Sequence, residues 1–415
     1  MATYRKVAVR SVDGWDGMTA AEQSAYDAHY YDLSTMESDE AADLVAIGQG
    51  NVVAEVYNDW VDGLETTMYV GGSWVTDADN LLLVTSPSSE RTSGIPGTGA
   101  KISAVTGGNY LFRNATGTNH VIIDGLEIVG SPSLGIFYST DNFTVRNCVI
   151  YDFTRIANSS STTYENCVII FGAVAGTSYI QSAKLHNCTV FSHTNTTLSR
   201  LTRDCDCYNV AAYADRALPY GCFYSCTGDY NASSDATAPG GHSLTDLVLS
   251  DYEFVDDSPS DGTSYNFHAA ETSSIVDAGT PFDDAFVTTI AAYSTDIIGV
   301  DRANGIAWDI GAFEFEVGGI QGVPVDIFLL NVVEGSNCII LKTADNDVVL
   351  GPTLAPSNGV VSAVFDYLED TAVIVRVRKS SVGDPVRYWP YIASGVITED
   401  GFTGYVDQVE DSVLN

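Results

Sequence analysis

The stretch "FTVRNCVIYDF" occupies residues 143–153, and close variants follow as "TTYENCVIIFG" at 162–172 and "AKLHNCTVFSH" at 183–193. "HVIIDGLEIVG" (120–130) precedes them and "DCDCYNVAAYA" (204–214) follows. Aligned, their pivots are Gly125, Asn147, Asn166, Asn187 and Asn209, spaced 22, 19, 21 and 22 residues apart. A catalytic group needs to be placed only once, so repetition points to a structural unit. Short strand-like segments at a period near twenty, with no helical pattern between them, imply coils stacked on one another. Within a coil, Val145 and Val149 are expected to point inward around the pivot. Asn tolerates a left-handed corner and can lend its amide to the next coil. Asn147, Asn166, Asn187 and Asn209 are therefore expected to form a ladder, with Cys148, Cys167 and Cys188 as a column beside it.

Composition narrows the function classes. The chain has 415 residues, 54 acids against 18 bases, and a net charge of −36. Between Arg10 and Arg91 there are 16 Asp or Glu and no Lys or Arg. Such a surface repels phosphate backbones and anionic lipid, which disfavours nucleic-acid and membrane partners. No apolar run is long enough for a membrane span, and "MATYRKVAVRSVDGWDG" lacks the apolar core of a signal peptide. Synthesis in the cytoplasm of a host cell is expected.

Residues 1–50 read as a helical cap or attachment segment, with Thr19 or Ser38 as N-caps. Strand patterns then run through 51–316: "VVAEVYND", "TTMYVGG", "NLLLVTSP", "AKISAVTGG" and the repeats. Residues 317–324 form a glycine-bearing linker, and 325–415 show clean alternation with turn signals, as in a small antiparallel β-sandwich.

The repeats together resemble right-handed parallel β-helix proteins, the architecture of pectate lyases, phage tailspikes and many surface proteins. "NVVAEVYNDWVDGLETTMYVGG" is similar to the first coils of such proteins in phage genomes. "TDIIGVDRANGIAWDIGAFEF" (295–315) resembles their closing coil, ending in Asp309, Ile310, Gly311, Ala312, Phe313, Glu314 and Phe315. "VIVRVRKSSVGDPVRYWPYIASGVITEDGFTGYVDQVED" resembles C-terminal modules of phage structural proteins. The resemblance implies an all-β chain: a right-handed parallel β-helix with a short helical N-terminal cap, followed by the sandwich. It also implies a structural protein on the virion surface, as head decoration, cement or spike protein, or as tailspike or fibre subunit. Other capsid or tail proteins are the implied partners, with assembly as a homotrimer and contact with host surface glycan.

The alternatives are a β-helical polysaccharide lyase or depolymerase and an extracellular polysaccharide-binding adhesin. Glycan cleavage needs two carboxylates at short range or a cation-assisted base. Asp124, Arg146, Glu165 and His186 fall at one position of successive repeats and are expected to lie side by side on one sheet, as charge pairing on a solvated face. Asp251, Glu253, Asp256, Asp257 and Asp261 read as loop and turn carboxylates. Cys205 and Cys207, with Cys222 and Cys226, loosely resemble a zinc set but are expected to be small buried side chains. "TADNDVV" (343–349) reads as a hairpin turn and not a calcium loop. No catalytic, cofactor-binding or metal-binding residue is assigned, and no cofactor is expected.

Overall fold

The alternation seen in the sequence becomes short strands, most of them paired in parallel. The computed structural model describes residues 3–47, 50–71, 73–105, 110–114, 119–130, 135–138, 142–153, 156–158, 162–172, 179–192, 198–257, 265–281, 294–302 and 307–315, together with the strands of 323–408. Among them the fold is all-β, with mostly parallel sheets and few, short helices. No helix among the described residues is long and apolar enough to cross a membrane. The chain divides into two compact units, Met1–Phe315 and Glu316–Asn415.

In the first unit the chain visits its sheets in rotation. One ten-stranded parallel sheet takes Val121–Asp124, Phe143–Arg146, Thr163–Glu165, Lys184–His186 and Asp206–Tyr208 as consecutive neighbours. After each corner the chain enters an eight-stranded parallel sheet through Glu127–Val129, Val149–Tyr151, Val168–Ile170, Thr189–Ser192 and Ala211–Ala214. A third flank is made by Ile156–Asn158, Ile180–Gln181, Thr202–Arg203 and Phe223–Tyr224. Every repeat thus lies directly over its predecessor: Val145 pairs with Tyr164, Tyr164 with Leu185, and Leu185 with Cys207.

The corners explain the pivots. Asn147, Asn166, Asn187 and Asn209 have φ of 51°, 49°, 51° and 52°, and Gly125 has 73°. This left-handed region is tolerated by Asn and free for Gly. The side chains then stack. Asn147 Nδ2 donates to Asp124 Oδ1 at 2.9 Å, Asn166 Nδ2 to Asn147 Oδ1 at 3.3 Å, and Asn209 Nδ2 to Asn187 Oδ1 at 2.9 Å. Beside them Cys148, Cys167 and Cys188 are fully buried. Each thiol donates to the carbonyl two residues earlier and to one in the coil below, as Cys167 does to Glu165 and Val145, both at 3.3 Å.

A second corner column is built the same way. Ser182, Asp204 and Ser225 have φ of 53°, 51° and 54°, and each is followed by a small residue, Ala183, Cys205 or Cys226. Cys205 therefore belongs to this corner, while Cys207 lies within the strand Asp206–Tyr208.

Val145 points into the interior with Ile150, Ile169, Val190 and Ala212, but Val149 does not. Cys148 faces inward, so strand alternation turns Val149 outward. It is nonetheless buried, in a second core with Val168, Phe191, Tyr252, Phe267, Ile310 and Phe313. The eight-stranded sheet is thus covered on both faces, which accounts for unbroken apolar runs such as Val168–Ile170.

Residues 1–50 are not simply helical. Thr3–Val9 pairs in parallel with Asn51–Val56, and Ala28–Tyr30 pairs with Thr3–Val9, extending the ten-stranded sheet. Val7, Ala8 and Val9 are fully buried, and that burial fixes the strand. Helices Val12–Asp16, Ala20–Gln23, Leu33–Glu40 and Leu44–Ile47 lie between. Thr19 does cap a helix, in a capping box with Glu22, whereas Ser38 lies inside the Leu33–Glu40 helix, which Asp32 caps.

In the second unit Val323–Phe328 pairs antiparallel with Val360–Phe365. A five-stranded antiparallel sheet runs in the order Val348–Leu354, Asn337–Lys342, Thr371–Arg378, Tyr391–Thr398 and Gly401–Gln408. Most of the 317–324 segment and the 343–347 turn lie outside the described residues.

If the corners carry the stack, Asn209→Ala should lose roughly 2–4 kcal/mol of unfolding free energy, from buried amide bonds left unpaired and a strained left-handed alanine. Asn209→Gly should lose less, because the backbone term vanishes. Urea unfolding of both variants against the parent checks the order.

Candidate functional site

Register places Asp124, Arg146, Glu165 and His186 in one column across the ten-stranded sheet: Asp124 beside Arg146, Arg146 beside Glu165, Glu165 beside His186. The column continues to Tyr208 and Asp229. The juxtaposition read from the repeats is real, but the face is not solvated there. Asp124 is 7% exposed, Glu165 3% and His186 1%.

Asp124 is held from two sides. Arg91 Nη2 lies 2.5 Å from Oδ1 and Arg146 Nη2 lies 3.1 Å from Oδ2, while Asn147 Nδ2 also donates to Oδ1. Burial opposes ionisation of Asp124, yet the charges of Arg146 and Arg91 outweigh it and hold the carboxyl below its ordinary value. This carboxylate is the foot of the asparagine ladder. Gly125, next in the chain, leaves room for Arg91, whose guanidinium would lie 2.5 Å from a Cβ at that position.

Residues 294–302 and 307–315 dock next to the column, on its asparagine corners and on the strand Thr189–Ser192. Arg302 is fully buried and donates to Glu314 Oε2 at 3.1 Å, to the Gly311 carbonyl at 3.0 Å and to Asn166 Oδ1 at 3.3 Å. Asn166 Nδ2 donates to the Thr295 carbonyl at 2.9 Å, and Gly311 N donates to the Asn209 carbonyl at 2.9 Å. Ala312 N reaches Thr189 Oγ1 at 3.1 Å, and Gly311, at φ 126°, adopts a conformation few side chains tolerate. Glu314 Oε2 also accepts from Asp309 N, Glu314 N donates to Asp296, and Asp309 accepts from Asp277 N. Asp309, Gly311, Ala312 and Glu314 of the closing motif thus each have a contact of their own.

Docking interrupts the ladder. Asn166 Oδ1 takes its bond from Arg302, and the buried Nδ2 of Asn187 has no hydrogen-bond partner. Thr280, from the preceding stretch 265–281, claims Asn209, whose Nδ2 donates to the Thr280 carbonyl at 2.8 Å while its Oδ1 accepts from Thr280 N at 3.0 Å.

The remaining sequence candidates disperse. Asp251 Oδ2 accepts from Val248 N at the start of the Leu249–Tyr252 helix, Glu253 is a left-handed helix end, and Asp256 ends a short strand. Asp261 lies outside the described residues. The seven described cysteines are all free, and no group of three or more His, Cys, Asp or Glu among the described residues is arranged to hold a metal ion. Sequence reading missed Arg91, Arg302 and the docked segment's grip on Asn166 and Asn209. The signal for Arg302 was a lone base followed by the closing acids, "DRANGIAWDIGAFEF".

The described clefts lie elsewhere. One of about 700 Å³ is lined by Tyr31, Asp32, Trp60, Asp62, Leu64 and Ser103. The column's best-defined carboxylate, Asp124, is bonded to two arginines, a contact that ties neighbouring coils together, and Glu165 and His186 are buried. Compared with models of known families, with curated proteins and with solved structures, the chain matches none.

Burial, with the nearby Asp309 charge, pushes the Glu314 carboxyl up to about 8 against the pull of Arg302, and burial pushes Asp309 up to about 6. A carboxyl raised in the folded state binds its proton more tightly folded than unfolded. Its stabilising contribution is complete below the unfolded value and is lost as pH rises through the folded one. The thermal midpoint should therefore fall between about pH 4.5 and about pH 8, and Glu314→Gln should flatten that fall. Melting curves of both proteins across that range check the sign.

Proposed function

We propose that the first unit is a right-handed parallel β-helix and that the chain is a non-enzymatic structural protein on the outside of a tailed-phage particle. Each coil of about twenty residues visits three parallel flanks in fixed order, the arrangement a β-helix requires, and right-handed crossovers are the overwhelming preference between parallel strands. Residues 325–415 would be the antiparallel sandwich, a module for docking or assembly, and a homotrimer is the proposed assembly. Head decoration, cement or spike protein and tailspike or fibre subunit are the roles this reading allows.

One observation carries the non-enzymatic part. In the polar column that a glycan-cleaving reading would need as its acid–base set, Glu165 and His186 are buried and Asp124 is committed to Arg91 and Arg146. A buried column serves rigidity. The particle location rests on the resemblance of the closing motif and of the C-terminal module to phage structural proteins. The net charge of −36 is consistent with a partner that is protein and not nucleic acid.

Density-gradient-purified particles from the lysate that produces the chain should contain it in a fixed ratio to the major capsid protein. Purified chain should release no new reducing ends or unsaturated sugars from acidic or neutral polysaccharides. Finding the chain only in the particle-free fraction, or finding depolymerised glycan, would reverse the reading.

A further inference from the structure

On the third flank, Ile180, Thr202 and Phe223 face the interior, and Gln181, Arg203 and Tyr224 form the outward column over three consecutive coils. Beside that column stands Arg200. Its guanidinium carbon lies 4.3 Å from the ring centre of Tyr220, 4.7 Å from that of Tyr224 and 5.1 Å from that of Tyr179. The Tyr220 and Tyr224 rings meet edge to face at 5.1 Å. Arg200 Nε donates to Ser199 Oγ at 3.2 Å, and Tyr220 N donates to the Ser199 carbonyl at 3.0 Å, which ties the loop carrying Tyr220 to the arginine.

Two features separate this cluster from ordinary surface packing. First, no carboxylate pairs with Arg200 among the described residues, in a chain where acids outnumber bases 54 to 18. Neighbouring Arg203 is engaged by Asp204 through Nε at 2.9 Å, whereas Arg200 spends its Nε on a neutral hydroxyl and makes no hydrogen bond through its two terminal nitrogens among the described residues. Second, the rings that position it are reachable: Tyr220 is 49% exposed. A guanidinium fixed by aromatic faces, with its fork of N–H donors uncommitted, is a preorganised receptor for a planar oxyanion. Flat tyrosine faces next to it suit the C–H face of a sugar ring. A densely charged polyanion would be repelled by the rest of the surface, so the charge must be sparse.

We infer that Arg200, Tyr220 and Tyr224 bind a saccharide ring bearing a single carboxylate, a uronic-acid type unit. The carboxylate accepts both terminal N–H groups of Arg200, and the ring lies on Tyr220. This site is independent of the buried column and of where the chain resides, so it stands whether or not the chain is found on particles.

The test is calorimetric titration of the full chain with trigalacturonate, with its fully methyl-esterified form, and with a short glutamate peptide, at about 0.15 M salt. Trigalacturonate should bind roughly 10- to 100-fold more tightly than the ester, the range expected for charge-assisted hydrogen bonds. Arg200→Gln should erase that preference, Arg200→Lys should restore part of it, and Tyr220→Ala should weaken trigalacturonate while leaving the melting midpoint unchanged. Absence of binding, equal binding of acid and ester, a preference for the peptide, or undiminished binding by Arg200→Gln in a variant that melts like the parent would each overturn the inference.

Discussion

A left-handed backbone corner that must recur every twenty residues or so is the constraint on which the first unit depends. Each corner brings the chain from one parallel sheet to the next, and it needs a residue that accepts positive φ. Asparagine meets that need and adds a side chain with one donor group and one acceptor. Because the coils lie in register, the donor of one corner meets the acceptor of another, and the local requirement becomes a ladder. Aspartate at 124 ends the ladder with a charge, and that charge in turn fixes Arg91 and Arg146.

The same corner residues hold the docked segment. Asn166 bonds along the stack and to Thr295 and Arg302, and Asn209 along the stack and to Thr280 and Gly311, so the closing motif docks on the element that defines the coil. This coupling explains why a fully buried arginine is tolerated. Arg302 takes the place of the next asparagine in the ladder, and Glu314 and the Gly311 carbonyl accept its other hydrogen bonds. A buried polar cluster of this sort is weak evidence for net stability, but removing one partner alone leaves the other unpaired and is costly. Its role here is registration of the segment over the sheet.

The coil period, the asparagine corners and the cysteine column were legible in sequence because they depend on residue identity at a fixed spacing. The alignment of Asp124, Arg146, Glu165 and His186 was legible for the same reason. The burial of Asp124, Glu165 and His186 was not, since the repeat fixes which residues align and not what packs over them. The second corner column was hidden because Ser182, Asp204 and Ser225 differ in identity while sharing a conformation. Val149 was assigned to the wrong side although the alternation starting at inward Cys148 contains the answer. The strand Thr3–Val9 is charged in its first half, and only its burial against Asn51–Val56 reveals it. Arg200 and its tyrosines come from three separate coils, and no local pattern announces them.

The most direct measurement of the central claim is a double-mutant cycle on Asn187 and Asn209, whose side chains meet at 2.9 Å though they lie 22 residues apart in sequence. Alanine at each position, singly and together, followed by urea unfolding, isolates the ladder contact from the backbone strain at each corner. The account predicts a coupling of roughly 0.5–1.5 kcal/mol between the two substitutions. Strict additivity would mean that the corners do not stack.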